Sequence, residues 1–294
     1  MNTLAVQKRI FIICFLIIPV ILLLLFVVYP TTQLFLNSLT SWDGISATKE
    51  FIGLKNYKEM IFNSADVWVS LKNNGIYFFV HLLFIPLELM IAIILDSRIK
   101  AKGFFKTITF LPYVVNGVAI AYAFSFFYSP YNGALNEMLK AVGMEWAQQN
   151  WLSNEKIVNF SLVVISLWRF SGFHVVLFLA GLQSIPKDIL EAAVIDGANA
   201  YQKYAKIIVP SIALVIDFVL FQNMRGALQV FDIPFLVTQG GPGYASSTFT
   251  LYTIDTAFSY NNFGMASSMG VTLLIMIIIL SWIQKGLFKK LGRG

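Results

Sequence analysis

The sequence predicts an all-α integral membrane protein in which six transmembrane helices carry a helical hairpin on the cytoplasmic side. Two features of the 294-residue chain lead there first: 57% of its residues are hydrophobic and only 12% are charged. No water-soluble core absorbs that much apolar surface, so lipid must solvate it. The third feature is the spacing of the apolar runs. Spans of roughly 10–36, 73–95, 107–128, 157–183, 207–230 and 265–284 each reach the ~20 residues that a helix needs to cross the hydrocarbon core.

The first span is too long, and lacks the small-residue cleavage pattern, to be a secretory signal, so it reads as a retained anchor. Its Cys14, the single cysteine, reads as a small core residue and excludes an internal disulfide framework. Pro19, Pro86 and Pro112 fall in or at the edges of spans and predict kinks. The fourth and fifth spans flank the hairpin, and the sixth ends in a basic tail.

Orientation follows from lysine and arginine. Lys8, Arg9, Arg98, Lys100, Lys102, Lys106, Lys187, Lys203, Lys206, Lys285, Lys289, Lys290 and Arg293 fall on one side. Lys49, Lys55, Lys58, Lys72, Lys140 and Lys156 fall on the other. The first set outnumbers the second about two to one, which predicts that this side and both termini are cytoplasmic. The formal charge of +6 is thus a topology signal, since these residues lie beside apolar runs and do not build a nucleic-acid surface. Trp42, Trp68, Trp146 and Trp151 fall in the outer connections and read mainly as anchors at the lipid interface.

The connection between the fourth and fifth spans, 184–210, reads SIPKDILEAAVIDGANAYQKYAKIIVP. Ser184 and Pro186 suit a helix N-terminus, and Asp188 and Glu191 put negative charge in its early turns. Asp196-Gly197 breaks that helix, and residues 198–208 start another that feeds the membrane. Ala192, Ala193, Gly197, Ala198 and Ala200 keep the hairpin surface low, which suits a docking knob as well as an amphipathic loop resting on lipid.

Glu191-Ala192-Ala193, three residues, Gly197, nine residues, then Ile207-Ile208-Val209-Pro210 resembles the EAA loop of binding-protein-dependent ABC importer permeases. Val209 stands where that family often has leucine. Likeness extends over most of the chain and leans to the sugar branch of maltose and glycerol-3-phosphate permeases: GLQSIP at 181–186, FDIPFLVTQGGPGYASST at 231–248, Ala257-Phe258 and FGMASS at 263–268 follow in the same order. The resemblance implies a type I importer permease on the bacterial inner membrane. It further implies that Glu191, Ala192, Ala193, Asp196, Gly197 and Ala198 engage a separate ATPase, with Glu191 meeting a basic residue and Gly197 making the turn.

The chain has no G-x-x-x-x-G-K-[ST] loop to cradle phosphates, so ATP and Mg are expected in two partner ATPase subunits and no cofactor in this chain. The other implied partners are a second, homologous permease, making a heterodimer, an extracellular substrate-binding protein, and membrane lipid. Nucleic acid is not among them.

Charged residues within spans are functional candidates, with pairing between helices as the alternative. Arg169 falls near the middle of the fourth span beside Phe170 and Phe173, and guanidinium donors with aromatic faces suit sugar hydroxyls and rings. Counting from Glu191, the substrate path of maltose-type relatives falls on Arg169, Phe170, Phe173, Asn223, Gly226, Ala227 and Val230. The alternative for Arg169 is an ion pair with Asp217 or Glu88. Arg225 lies further out, and if both arginines line the conduit, an anionic sugar or a polyol phosphate competes with a neutral oligosaccharide. His81 and His174 read as helix-packing donors, and nothing spaces them as metal ligands. A secondary transporter would also use buried charges and kinks, but leaves the EAA segment unexplained. An integral-membrane enzyme would need a clustered His/Asp/Glu set that two separated histidines do not supply.

Overall fold

The computed structural model describes residues 3–97 and 99–291, so Arg98 and Arg293 of the basic count lie outside the described residues. Helices α1 (Thr3–Leu23), α2 (Tyr29–Ser38), α3 (Lys55–Phe62), α4 (Ala65–Asp96), α5 (Lys102–Val114), α6 (Gly117–Phe127), α7 (Ala134–Ala141) and α8 (Val158–Gln183) are followed by α9 (Lys187–Ile195), α10 (Ala200–Lys203), α11 (Val209–Ser211), α12 (Ala213–Leu228), α13 (Asp232–Thr238), α14 (Phe249–Phe258) and α15 (Phe263–Leu291). Among the described residues, five helices are long and apolar enough to cross a membrane, and a sixth span is a bent pair.

The chain divides into two compact units, residues 1–64 with 253–275 and residues 65–252 with 276–294. In the first, α1 and α2 form one long rod joined by a π turn, Leu24–Val28. The cause is Pro30. It has no N–H for the carbonyl of Phe26, and the Tyr29 N–H reaches back to Leu24 O, so the ladder slips by one residue. Among the described residues, none in the most apolar stretch of this rod is buried. Cys14 is exposed there, which corrects the expectation of a core cysteine.

The rest of this unit is held by polar clamps. Asn56 Nδ2 donates to the carbonyls of Ser38 and Thr40 at 3.0 and 2.8 Å. The backbone of α15 approaches closely at Gly264, where a Cβ would collide with the Thr40 carbonyl, and the Gly264 N–H donates to Trp42 O at 2.8 Å. Trp42 packs against Phe263 with tilted rings 5.6 Å apart and carries Lys49 over its ring at 3.8 Å.

Asp43 organises the adjoining turn. The Ser46 hydroxyl, then the N–H groups of Ser46 and Ile45, hydrogen-bond its carboxylate and hold its pKa down to about 2. Because the folded value is depressed, this contribution is complete above the ordinary carboxylate range and is lost as pH falls through about 2. Hydrogen exchange of the 43–46 turn, corrected for intrinsic rates, is expected to stay slow at pH 4 and accelerate towards pH 2.

In the second unit α8 packs against α4 and α5, and α12 packs against α4. Two apolar clusters lie along these helices. One joins Ile85, Leu89, Ala92 and Leu95 of α4 to Val175, Phe178 and Leu182 of α8 and to Ile208, Ile212 and Val219. The other joins Tyr77, Ile120, Leu162, Ile165, Ala227, Val230 and Ile233.

The third predicted span is not straight. Helices α5 and α6 meet at 95°, because the Val115–Asn116 break leaves the helical conformation and Asn116 Oδ1 then accepts from the Val118 N–H to begin a new helix. By contrast, α1 and α4 run through Pro19 and Pro86 without ending. The predicted continuous helix over 198–208 is also broken up: α10 gives way to a π turn, Tyr204–Ile208, just before Pro210. The same missing N–H explains it, here leaving the carbonyl of Lys206 without its α-helical donor.

Candidate translocation cavity and coupling hairpin

The hairpin follows α8 directly. Ser184 does not cap α9 as the sequence suggested; its hydroxyl donates back to Gly181 O at 2.7 Å, closing the last turn of α8, and Pro186 occupies the N-cap position. At the other end of α9 the Ala198 N–H bonds Ala193 O at 2.9 Å and the Gly197 N–H bonds Val194 O at 3.1 Å. That is a Schellman closure, and it requires the left-handed φ of +77° that Gly197 adopts. Asn199 and Gln202 then form a reciprocal capping box that starts α10. Two rigid termini meet across residues 196–199.

Glu191, Ala192, Asp196 and Gly197 are exposed, Ala198 is half-buried and Ala193 is buried. Around them Ile189, Val194, Ile195 and Tyr201 are exposed too, with Ile195 at 85%. Such a patch on a short rigid knob is a candidate interaction surface. Residue size alone did not reveal these apolar members. On its inner side the hairpin joins the first apolar cluster through Ile185, Leu190 and Ile208, so a force on α9 passes into α4, α8 and α12.

Along α4, α8 and α12 a cavity of about 270 Å³ falls between the two clusters. Of the sequence-predicted path, Phe170, Phe173, Asn223, Gly226, Ala227 and Val230 line it. Tyr113 stacks on Phe173 with ring centroids 4.9 Å apart and meets Phe170 edge-on, making one wall aromatic. The lining also includes the amides of Gln222, Asn223 and Gln229. Tyr77 also lines the cavity, and its buried hydroxyl has no hydrogen-bond partner within the described residues. Sequence reasoning missed Tyr77, Tyr113, Gln222 and Gln229, whose only signal was polarity inside apolar spans.

Arg169 does not line the cavity. Its guanidinium pairs with Asp232 at the start of α13, not with Asp217 or Glu88. Helix geometry explains this: Glu88 lies level with His174, five residues beyond Arg169 and so ~7.5 Å along the axis. There it accepts a bond from His174 Nδ1 at 2.8 Å. Asp217 belongs to the N-terminal half of α12 and accepts from Gln284 Nε2 at 2.7 Å. His81 bonds Ser166 at 2.9 Å, so both histidines tie α4 to α8 as the sequence suggested.

The segment after α13 is held by three asparagines. Asn73 donates to the carbonyls of Ala245 and Ser247, Asn159 donates to Asn73 and Ala245, and Asn74 donates to Ala227 and Leu228 while accepting from the Phe249 N–H. The 239–248 stretch is therefore clamped onto α4 and α8. Trp151 does similar work in the preceding connection, bonding Asn136 Oδ1 at 2.8 Å, whereas Trp146 is 78% exposed.

Known proteins resemble this chain over nearly its whole length. The probable ABC transporter permease protein YurN of Bacillus subtilis is 33% identical, with 92% of this chain and 94% of that one covered. The multiple sugar-binding transport system permease protein MsmF of Streptococcus mutans is 31% identical, with 94% of each covered. In the crystal structure of a bacterial alginate ABC transporter in complex with alginate pentasaccharide-bound periplasmic protein, one chain superposes with a TM-score of 0.84 at 21% identity, covering 99% of both, which establishes the shared fold. Residues 84–293, spanning the hairpin and most of the cavity lining, match the family described as binding-protein-dependent transport system inner membrane component, and the chain belongs to that family.

Proposed function

We propose that this chain is one of two permease halves of an ATP-driven sugar importer, both of its compact units working as a single permease domain with cytoplasmic termini. The observation that carries this reading is mechanical. A rigid hairpin with an exposed apolar rim is rooted in the same three helices that line a cavity with aromatic and amide walls. Two partner ATPase subunits binding ATP and Mg would clasp Glu191, Ala192, Ala193, Asp196, Gly197 and Ala198 here and on the second permease. Their closure would swing the helices so that the cavity opens outward to a loaded binding protein. Nucleotide and loaded binding protein each drive this only so far as they prefer the outward state.

A neutral oligosaccharide fits the cavity best. Phe170, Phe173 and Tyr113 offer flat apolar faces to sugar rings. Asn223, Gln222, Gln229 and the Tyr77 hydroxyl offer hydrogen bonds, while Gly226, Ala227 and Val230 leave room. Names of relatives such as MsmF and the arabinooligosaccharide permease AraP of Bacillus subtilis support the same cargo class. A second reading, an acidic sugar, rests on Arg225: it lines the cavity, and its Nε donates to the Gln229 amide oxygen at 3.0 Å. The alginate system supports it as well.

The test is ATP hydrolysis by the reconstituted complex with its binding protein. Glu191→Ala is expected to lower sugar-stimulated hydrolysis at least ~10-fold, the loss of about 1.4 kcal/mol of coupling. Normal assembly and stimulation in that variant would remove the docking claim. Maltotetraose against tetragalacturonate as cargo separates the neutral from the acidic reading.

A further inference from the structure

We propose that Arg169 is a positioning residue, not a substrate contact: through Asp232 it ties the α12–α13 corner to α8 and to the α5–α6 corner, closing the outer end of the cavity. This rests on the importer reading above, which puts the C-terminal end of α12 on the outer side.

Three contacts converge on its guanidinium. Asp232 divides its carboxylate, Oδ1 accepting from the Ile233 N–H to begin α13 and Oδ2 pairing with Arg169. Gly117 opens α6 where an added Cβ would lie 3.0 Å from both Nη1 and Nη2, so the α5–α6 corner is cut to admit this side chain. Phe170, one of the lining aromatics, lies with its ring centroid 5.0 Å from Cζ. Asp232 and Phe170 face the cavity while Arg169 does not, so its charge acts on the wall through them. Helix α13 also packs against α6 and α8, the elements the tie joins. Sugar arriving from outside must pass this corner, so the tie must part in the outward state, and its strength belongs to the resting state alone. A contact made in one state and absent in the other biases the equilibrium between them.

The experiment measures MgATP hydrolysis per assembled complex, reconstituted with the partner permease, the ATPase and sugar-free binding protein. Arg169→Gln and Asp232→Asn are each expected to raise this cargo-free hydrolysis by roughly fivefold or more, with the double variant no higher than either single one. Arg169→Lys, which keeps one charged donor for Asp232, is expected to restore most of the control. Wild-type cargo-free hydrolysis in both Asp232→Asn and Arg169→Gln would overturn the tie, and Asp232→Asn keeps the test open if Arg169→Gln assembles poorly, because Asp232 is 41% exposed. An arginine that touched sugar would lower maltotetraose-stimulated hydrolysis in Arg169→Gln and spare Asp232→Asn, which also overturns it. Glu191→Ala, run in parallel, reports separately on the importer reading: if that variant stays coupled, the coupling reading fails, whereas an uncoupled Glu191→Ala with unchanged Arg169 and Asp232 variants removes only the tie.

Discussion

Gly172→Val is expected to prevent stable assembly. Gly172 lies in α8 against the backbone of α5, and a Cβ there would collide with the Thr109 carbonyl and stand 3.1 Å from the Phe110 Cα. Small residues let membrane helices approach until their backbones touch, and in lipid that close packing replaces the hydrophobic drive. A flexible side chain could turn aside, but these obstacles are backbone atoms of a helix. Relief requires moving α5 as a body, which also displaces Tyr113 from its stack on Phe173. The cost is about 3 kcal/mol or more, the upper end for overpacking, with Gly172→Ala partway there. Thermal unfolding of the purified complex checks this: melting of Gly172→Val at the wild-type temperature would mean that α5 and α8 are not in backbone contact.

Glu88→Ala is the second large effect. Glu88 is 1% exposed, and its Oε2 accepts from His174 Nδ1 on the facing helix. Removing it leaves the imidazole buried without its partner, at a cost of about 2–4 kcal/mol. Most of that loss is the stranded His174, so the double variant Glu88→Ala/His174→Leu is expected to melt higher than Glu88→Ala alone, and Glu88→Gln to lose the least. Additive losses in this cycle would mean that the two side chains act independently.

Local pattern and tertiary structure divided the information unevenly. The spans were legible because runs of twenty apolar residues have one stable solution in lipid, a helix that satisfies its own backbone. The hairpin was legible at Gly197, since only glycine readily takes the φ that closes α9, and its identity came from the spacing of Glu191, Gly197 and Pro210. The positions counted from Glu191 come together in space: Phe170, Phe173, Asn223, Gly226, Ala227 and Val230 line one cavity.

The partners of polar residues were not legible. Arg169 had two candidate carboxylates in the sequence, Asp217 and Glu88, and it pairs with neither but with Asp232, because the chain turns after α12 and brings α13 back against α6 and α8. Nothing in the local pattern gave Asn73, Asn74 and Asn159 a role, yet Asn73 and Asn159 clamp the 239–248 stretch through carbonyls up to 174 positions away, and Asn74 accepts from the Phe249 N–H 175 positions away. The 95° corner between α5 and α6 likewise emerged only in three dimensions. Sequence by itself determined which segments are long and apolar enough to cross a membrane and where the hairpin turns at Gly197, because apolar runs and backbone φ act on neighbours along the chain. Tertiary structure alone decided which charges pair and which groups face the cavity, because hydrogen bonds and ion pairs act over about 3 Å in space, whatever their separation in sequence.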